Sequence, residues 1–173
     1  MTGQIIWLTG LSGSGKSTIA QGLYDILRFH HEIEILDGDD VRKNLSSELG
    51  FSKEDRDLNI RRIGYVANLL TKHGVHVIVA AISPYRAIRD ELKNGLNMIE
   101  VYCDASIEEC KRRDVKGIYA KVEAGEIKNF TGISDPYEEP LKPNVHLFTE
   151  VETVAESISK ITKYFYTKKL GKV

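Results

Sequence analysis

The sequence predicts an α/β fold: a mainly parallel five-stranded sheet with helices on both faces, in a single domain over residues 1–173. Three observations predict it. Short apolar runs alternate with longer stretches whose apolar residues recur at helical spacing, which is the pattern of βαβ units. Val75–Ile82 is almost wholly apolar and rich in β-branched residues, as expected of a strand buried on both faces. A glycine-rich stretch follows the first apolar run and opens the first helical period. Ligands of such sheets bind outside the carboxyl ends of the strands.

Taken in order, Gln4–Leu8 is the first strand, and Ile19, Leu23, Ile26 and Leu27 mark a helix after it. Ile33–Leu36 is a second strand ending in Asp37-Gly38-Asp39-Asp40. Ser52 and Asp55 read as a capping pair that opens a helix. Its core face is Ile63, Val66, Ala67 and Leu70, and Gly74 stops it. Val75–Ile82 is the third strand, followed by a short helix over Tyr85–Lys93. Met98–Cys103 is the fourth strand and Ser106–Arg113 a helix. Residues 114–143 have no clean period and read as a mobile lid, with a short helix near Tyr119–Ala124. Val145–Phe148 is a weak fifth strand. Val151, Val154, Ile158, Ile161 and Phe165 give the final helix its core stripe.

Composition narrows the function classes. Lys plus Arg number 24 against 25 Asp plus Glu, so no global basic field points to nucleic acid or an acidic membrane. No apolar run approaches the length of a membrane span, and the N-terminus lacks a signal-peptide pattern. Cys103 and Cys110 make no disulfide framework. Together these readings predict a cytoplasmic protein with no nucleic-acid or membrane partner.

The chemistry sits at the predicted strand ends. Gly10-Leu11-Ser12-Gly13-Ser14-Gly15-Lys16-Ser17 is a complete G-x-x-x-x-G-K-[ST] loop. Its backbone N–H groups and the helix N-terminus behind it would cradle phosphates. Lys16 would reach the β and γ phosphates and Ser17 would ligate Mg²⁺. Asp37, Asp39 and Asp40 follow the second strand and would repel one another without a nearby cation or donor. They serve either an ion site or a helix N-terminus. Ser83, before Pro84, is either a helix cap or a substrate contact. Arg56, Asn59 and Arg62 recur at three-residue spacing, as a solvated face or as an anion-binding one. The D-x-x-G at Asp114–Gly117 has no N-K-x-D partner for guanine, and the histidines show no metal-ligand spacing with the cysteines.

Five stretches together resemble the adenylyl-sulfate kinase (APS kinase) family. They are Gly10–Thr18, Leu36–Arg42, Leu49–Arg62, Ala81–Arg86, and Arg113–Tyr119 with Gly125–Gly132 and Asp135–Glu138. The resemblance implies a three-layer P-loop kinase fold, usually homodimeric. It implies an ATP-dependent phosphotransferase acting on the 3′-hydroxyl of adenosine 5′-phosphosulfate (APS), with Mg²⁺ as cofactor. Gly10, Leu11, Ser12, Gly13, Ser14, Gly15, Lys16, Ser17 and Thr18 then fall on the ATP phosphates, and Arg113 near the ATP base. Lys16, Asp37 and Asp39 fall at the catalytic positions, with Ser17 and Asp39 at the metal. Asp39, Arg42, Phe51, Arg56, Asn59, Ile82, Ser83, Lys116, Lys128, Asn129 and Phe130 fall on the acceptor. Phe51 and Phe130 would sandwich its adenine. Ser83 also matches a position described as a phosphoserine intermediate in some members. The rivals are another small-metabolite P-loop kinase, of nucleoside, shikimate or gluconate type, and a non-catalytic nucleotide-binding module.

Overall fold

A computed structural model describes residues 2–114 and 117–170. Its elements are β1 (Ile5–Thr9), α1 (Lys16–Leu27), β2 (Ile33–Asp37), α2 (Gly38–Leu45), α3 (Lys53–Lys72) and β3 (His76–Ala80). They continue with α4 (Arg86–Gly95), β4 (Met98–Asp104), α5 (Ile107–Arg113), α6 (Ile118–Glu123), β5 (Val145–Phe148) and α7 (Val154–Leu170). The five strands lie in the order β2-β3-β1-β4-β5, and every pair is parallel. A parallel neighbour requires a crossover, so each strand is separated from the next by helix.

Strand burial follows position in the sheet. The central strand β1 and its neighbour β3 are buried at every residue, whereas the edge strand β5 alternates buried and exposed. One face of the sheet is covered by Ile19, Leu23 and Leu27 of α1 with Ile158, Ile161 and Phe165 of α7. The other face takes Val41 of α2, Ile60, Ile63 and Ala67 of α3, and Ile88 and Leu92 of α4, packed around Trp7. Truncating one such fully buried side chain, Ile63→Ala for instance, costs about 2–5 kcal/mol through lost transfer energy and the cavity left behind.

Local chemistry sets the helix ends. The Ser52 hydroxyl accepts from the Asp55 N–H at 3.1 Å, as the capping pair predicts, and Gly74, at φ +88°, ends the helix. Ser106 caps α5 in the same way, accepting from Glu109. Asp37 accepts from the Asp39 N–H at 2.9 Å and so opens α2, a helix the periodicity did not announce. Three expected core positions differ. Ile26 is half-exposed, because Leu23 and Leu27 already fill the groove over the sheet. Val151 precedes α7 and Val154 opens it, and both are exposed, so the buried stripe of that helix begins at Ile158. Among the described residues, no helix is long and apolar enough to cross a membrane.

Register brings the functional ends of the strands level. Ala80 pairs with Leu8 on one side and Asp37 on the other, while Thr9 pairs with Tyr102. The loops after β1, β2 and β3 therefore open onto one edge.

Candidate active site

The loop between β1 and α1 packs too closely for side chains at two of its glycines. A Cβ on Gly10 (φ +152°) would sit 2.4 Å from the Cys103 carbonyl oxygen. One on Gly13 (φ +81°) would sit 3.0 Å from that of Cys110. Glycine removes both collisions and allows the turn. The loop thereby lies against the ends of β4 and α5. Lys16 Nζ folds back over it, donating to the Gly10 carbonyl at 2.9 Å and the Leu11 carbonyl at 2.6 Å. Ser17 Oγ donates to Asp37 Oδ2 at 3.2 Å, joining the start of α1 to the end of β2.

A cavity of about 520 Å³ runs from this loop to α3. Ser12, Gly13, Gly15, Lys16, Ser17, Thr18, Asp37, Asp39 and Arg113 line one part of it. Arg42, Phe51, Arg56, Asn59, Ile82 and Ser83 line the rest. A second cavity of about 680 Å³ lies behind Gly132–Tyr137; of the candidate site residues it takes Leu11, and of the resembling stretches Gly132 and Asp135–Tyr137.

Both arginines of the far wall are oriented by main-chain acceptors. Arg42 Nη2 donates to the Leu49 carbonyl at 2.8 Å and to that of Gly50, with its guanidinium 4.4 Å from the centre of the Phe51 ring. Arg56 donates to the Phe51 carbonyl at 3.0 Å, to Thr131 Oγ1 at 2.7 Å and to the Asn129 carbonyl. It also pairs with Asp135 at 3.1 Å, so it clasps the segment after α6 to α3. Asn59 is buried, and its side-chain oxygen has no hydrogen-bond partner among the described residues. A buried polar atom in that state on a cavity wall is suited to a donor on a ligand.

Ser83 is nearly inaccessible and has φ +50°. Its hydroxyl accepts from Trp7 Nε1 at 2.9 Å, beneath the wall. Phe130 packs edge-on against Tyr119, with ring centroids 5.1 Å apart, and Phe51 is 57% exposed. Lys128 and Asn129 are exposed, and neither they nor Phe130 line the cavity. Gly10, Leu11 and Ser14 of the loop lie outside the lining. Lys116 lies outside the described residues.

Arg113 spans the opposite end. It donates to Gly13 O at 3.3 Å, Thr149 O at 2.6 Å and Glu109 Oε1 at 2.7 Å. Hydrogen bonds from Arg112 and Arg113 hold the Glu109 carboxyl down to about 2. Beside it, burial raises the Glu152 carboxyl, but hydrogen bonds from Lys160 and the Phe148 N–H outweigh that and keep it below the usual range. Burial pushes the Cys103 thiol under the loop up to about 12. Tyr119, at the end of the Arg113–Tyr119 stretch, also lines the cavity, as do Thr149, Glu152 and Ser157, which carry no motif. Tyr119 Oη donates to the Ser12 carbonyl at 2.8 Å, a link between loops far apart in sequence.

Against known proteins, the Adenylylsulphate kinase family model matches residues 2–148. The chain belongs to the adenylylsulphate kinase family. It is 59% identical over 161 residues to the adenylyl-sulfate kinase of Rippkaea orientalis, covering 92% of this chain and 89% of that one. It is 54% identical over 162 residues to that of Chloroflexus aurantiacus, covering 92% and 87%. Its structure resembles the Mycobacterium tuberculosis APS kinase in complex with AMPPNP and APS. That match has a TM-score of 0.91 at 40% identity, over 95% of this chain and 98% of the other. A gluconokinase from Sinorhizobium meliloti, at 16% identity and a TM-score of 0.61, shares the fold. The three-layer P-loop kinase architecture is thus that of the adenylylsulphate kinases.

Proposed function

We propose that the chain transfers the γ-phosphoryl group of ATP to the 3′-hydroxyl of adenosine 5′-phosphosulfate. The products are 3′-phosphoadenosine 5′-phosphosulfate and ADP, in the activation step of sulfate assimilation. Besides the family, one observation carries this reading: the phosphate-binding loop and the arginine-lined wall of α2 and α3 open into a single cavity. A donor and an anionic acceptor can therefore meet there.

Phosphoryl transfer depends mainly on positioning and charge neutralisation. Gly10–Thr18 cradle the donor phosphates, and Arg113 holds the base end. Lys16 exchanges its loop carbonyls for phosphate oxygens and carries positive charge to the bond that breaks. Ser17, Asp37 and Asp39 offer hard oxygen donors at the lip, which fits Mg²⁺, a cation that takes few protein ligands when phosphates supply others. When bound, the ion neutralises charge on the phosphate oxygens. Asp39 orients the 3′-hydroxyl and accepts its proton. Arg42, Arg56 and Asn59 hold the phosphosulfate, and Phe51 faces the adenine. Residues 114–143 close over both nucleotides, bringing Lys128, Asn129 and Phe130 to the acceptor and excluding water. Transfer is direct, because the Ser83 hydroxyl is buried on Trp7 rather than presented to the donor.

Product analysis tests this reading, with ATP, Mg²⁺ and the phosphosulfate as substrates and adenosine monophosphate, shikimate and gluconate as comparison acceptors. Phosphate should appear on the 3′-hydroxyl of the phosphosulfate alone. Transfer to another acceptor in its place would overturn the assignment. The family resemblance further supports a cytoplasmic homodimer, for which sedimentation analysis should return twice the 19.5 kDa chain mass.

A further inference from the structure

We propose that Arg89 and Glu100 form a buried positioning pair that sets the acceptor wall and the root of the closing segment together. Arg89 lies on α4 and is fully buried, outside the cavity lining. Its guanidinium makes three bonds of different kinds. Nε donates to Glu100 Oε1 at 3.2 Å, Nη1 to the Ser83 carbonyl at 2.5 Å, and Nη2 to the Glu138 carbonyl. Glu100, on β4, is itself buried and takes Lys93 Nζ on its other oxygen at 2.8 Å.

Each carbonyl belongs to a different part of the site. Ser83 borders the cavity in a left-handed conformation, which is unfavourable for an L-residue. That conformation is held at both ends, the hydroxyl by Trp7 and the carbonyl by Arg89. Glu138 lies near the end of the closing segment. Its N–H donates to the Pro84 carbonyl at 2.8 Å, and its carboxylate accepts from the Arg86 N–H at 2.7 Å. The preceding Tyr137 lies under the same guanidinium, 5.6 Å from ring centre to Arg89 Cζ. Its hydroxyl donates to Thr9 Oγ1 at 2.9 Å, and Thr9 in turn donates to the Ile82 carbonyl at 2.6 Å.

The planar fork of arginine reaches two carbonyls while pairing a carboxylate, a geometry lysine lacks. Stability alone does not account for the pair, since apolar replacements of buried ion pairs are often as stable. Its placement instead couples the seat of Ser83 to the seat of Glu138. Among the described residues Arg89 bonds no residue of the phosphate-binding loop, and its link toward that loop runs through Tyr137 and Thr9.

The inference rests on the proposed acceptor, and the test separates the two. Wild type, Arg89→Lys and the double variant Arg89→Met/Glu100→Gln are compared by steady-state kinetics, circular dichroism and the emission of Trp7, the only tryptophan. In folded variants the KM for the phosphosulfate should rise by about 10-fold or more while that for ATP stays within about two-fold, as expected when one reactant is displaced. Trp7 emission should shift in the unliganded variants as Ser83 leaves its N–H. Folded variants with both KM values unchanged, or failure of both variants to fold, would make the pair a stability element and overturn the inference. A wild type that phosphorylates a different acceptor would overturn the activity reading instead.

Discussion

Ser83 separates the two chemical routes open to this fold. A phosphoserine route needs an exposed hydroxyl in line with the donor. Here the hydroxyl accepts the Trp7 indole N–H and is 1% exposed. Ser83→Ala should therefore retain kcat within about two-fold, since no covalent step is lost. It should also lower stability by about 1–3 kcal/mol, because a buried donor is left unpaired. Parallel turnover and denaturant-melt measurements check both halves. A kcat loss of several orders of magnitude in a folded variant would revive the covalent route. Asn59 shows the complementary case: its buried, unpartnered oxygen is a local cost that a ligand donor can remove.

Among the elements, the closing segment carries the acceptor-side prediction. Phe130 packs against Tyr119, and Tyr119 is tied to the Ser12 carbonyl, so the aromatic ring connects the segment to the phosphate loop. Phe130→Ala should weaken phosphosulfate binding by about 1–3 kcal/mol, the scale of base–aromatic stacking, and leave ATP affinity nearly unchanged. Calorimetric titration of each nucleotide reads both, and an unchanged phosphosulfate affinity would remove Phe130 from the acceptor site. The same comparison explains what the sequence makes legible. The phosphate loop and the Ser52–Asp55 cap are written within a few residues, so spacing reveals them. Periodicity does not show α2, because Gly38, Asp39 and Asp40 are poor helix formers; the acidic run offers a helix N-terminus only as one of two readings, and it is Asp37 that starts the helix by capping. Thr149 and Glu152 reach the cavity from the β5–α7 connection with no motif around them. The Arg89–Ser83–Glu138 junction joins α4 to two loops, the more distant 49 residues away, and only the folded chain brings them together.

Considered whole, the molecule is nearly neutral, and its response to pH depends on buried groups more than on net charge. Cys103 lies at the end of β4 beneath the phosphate loop, 1% exposed, with its thiol raised from 9.0 to about 12 by burial, against the opposing pull of Lys16. Burial also raises the phenols of Tyr102, Tyr119 and Tyr137. The unfolded chain releases the Cys103 proton from about pH 9, while the native state keeps it until about 12. The stabilisation is thus complete below pH 9 and is lost as pH rises toward 12, at about 1.4 kcal/mol per pH unit for this group. The tyrosines act in the same direction from about pH 10, their unperturbed range. Denaturant stability should therefore show no Cys103-linked loss up to pH 9 and fall by about 3 kcal/mol or more between pH 9 and 11, a large part of a typical total of about 5–15 kcal/mol. The double variant Cys103→Ala/Cys110→Ala separates the thiols from the phenols, because burial raises the Cys110 thiol as well. It should be less stable at neutral pH, through the lost packing, yet its alkaline decline should begin near pH 10 rather than 9. An identical onset in both proteins would mean that neither thiol is held neutral by its burial, and that the phosphate loop does not rest on a proton-retaining core.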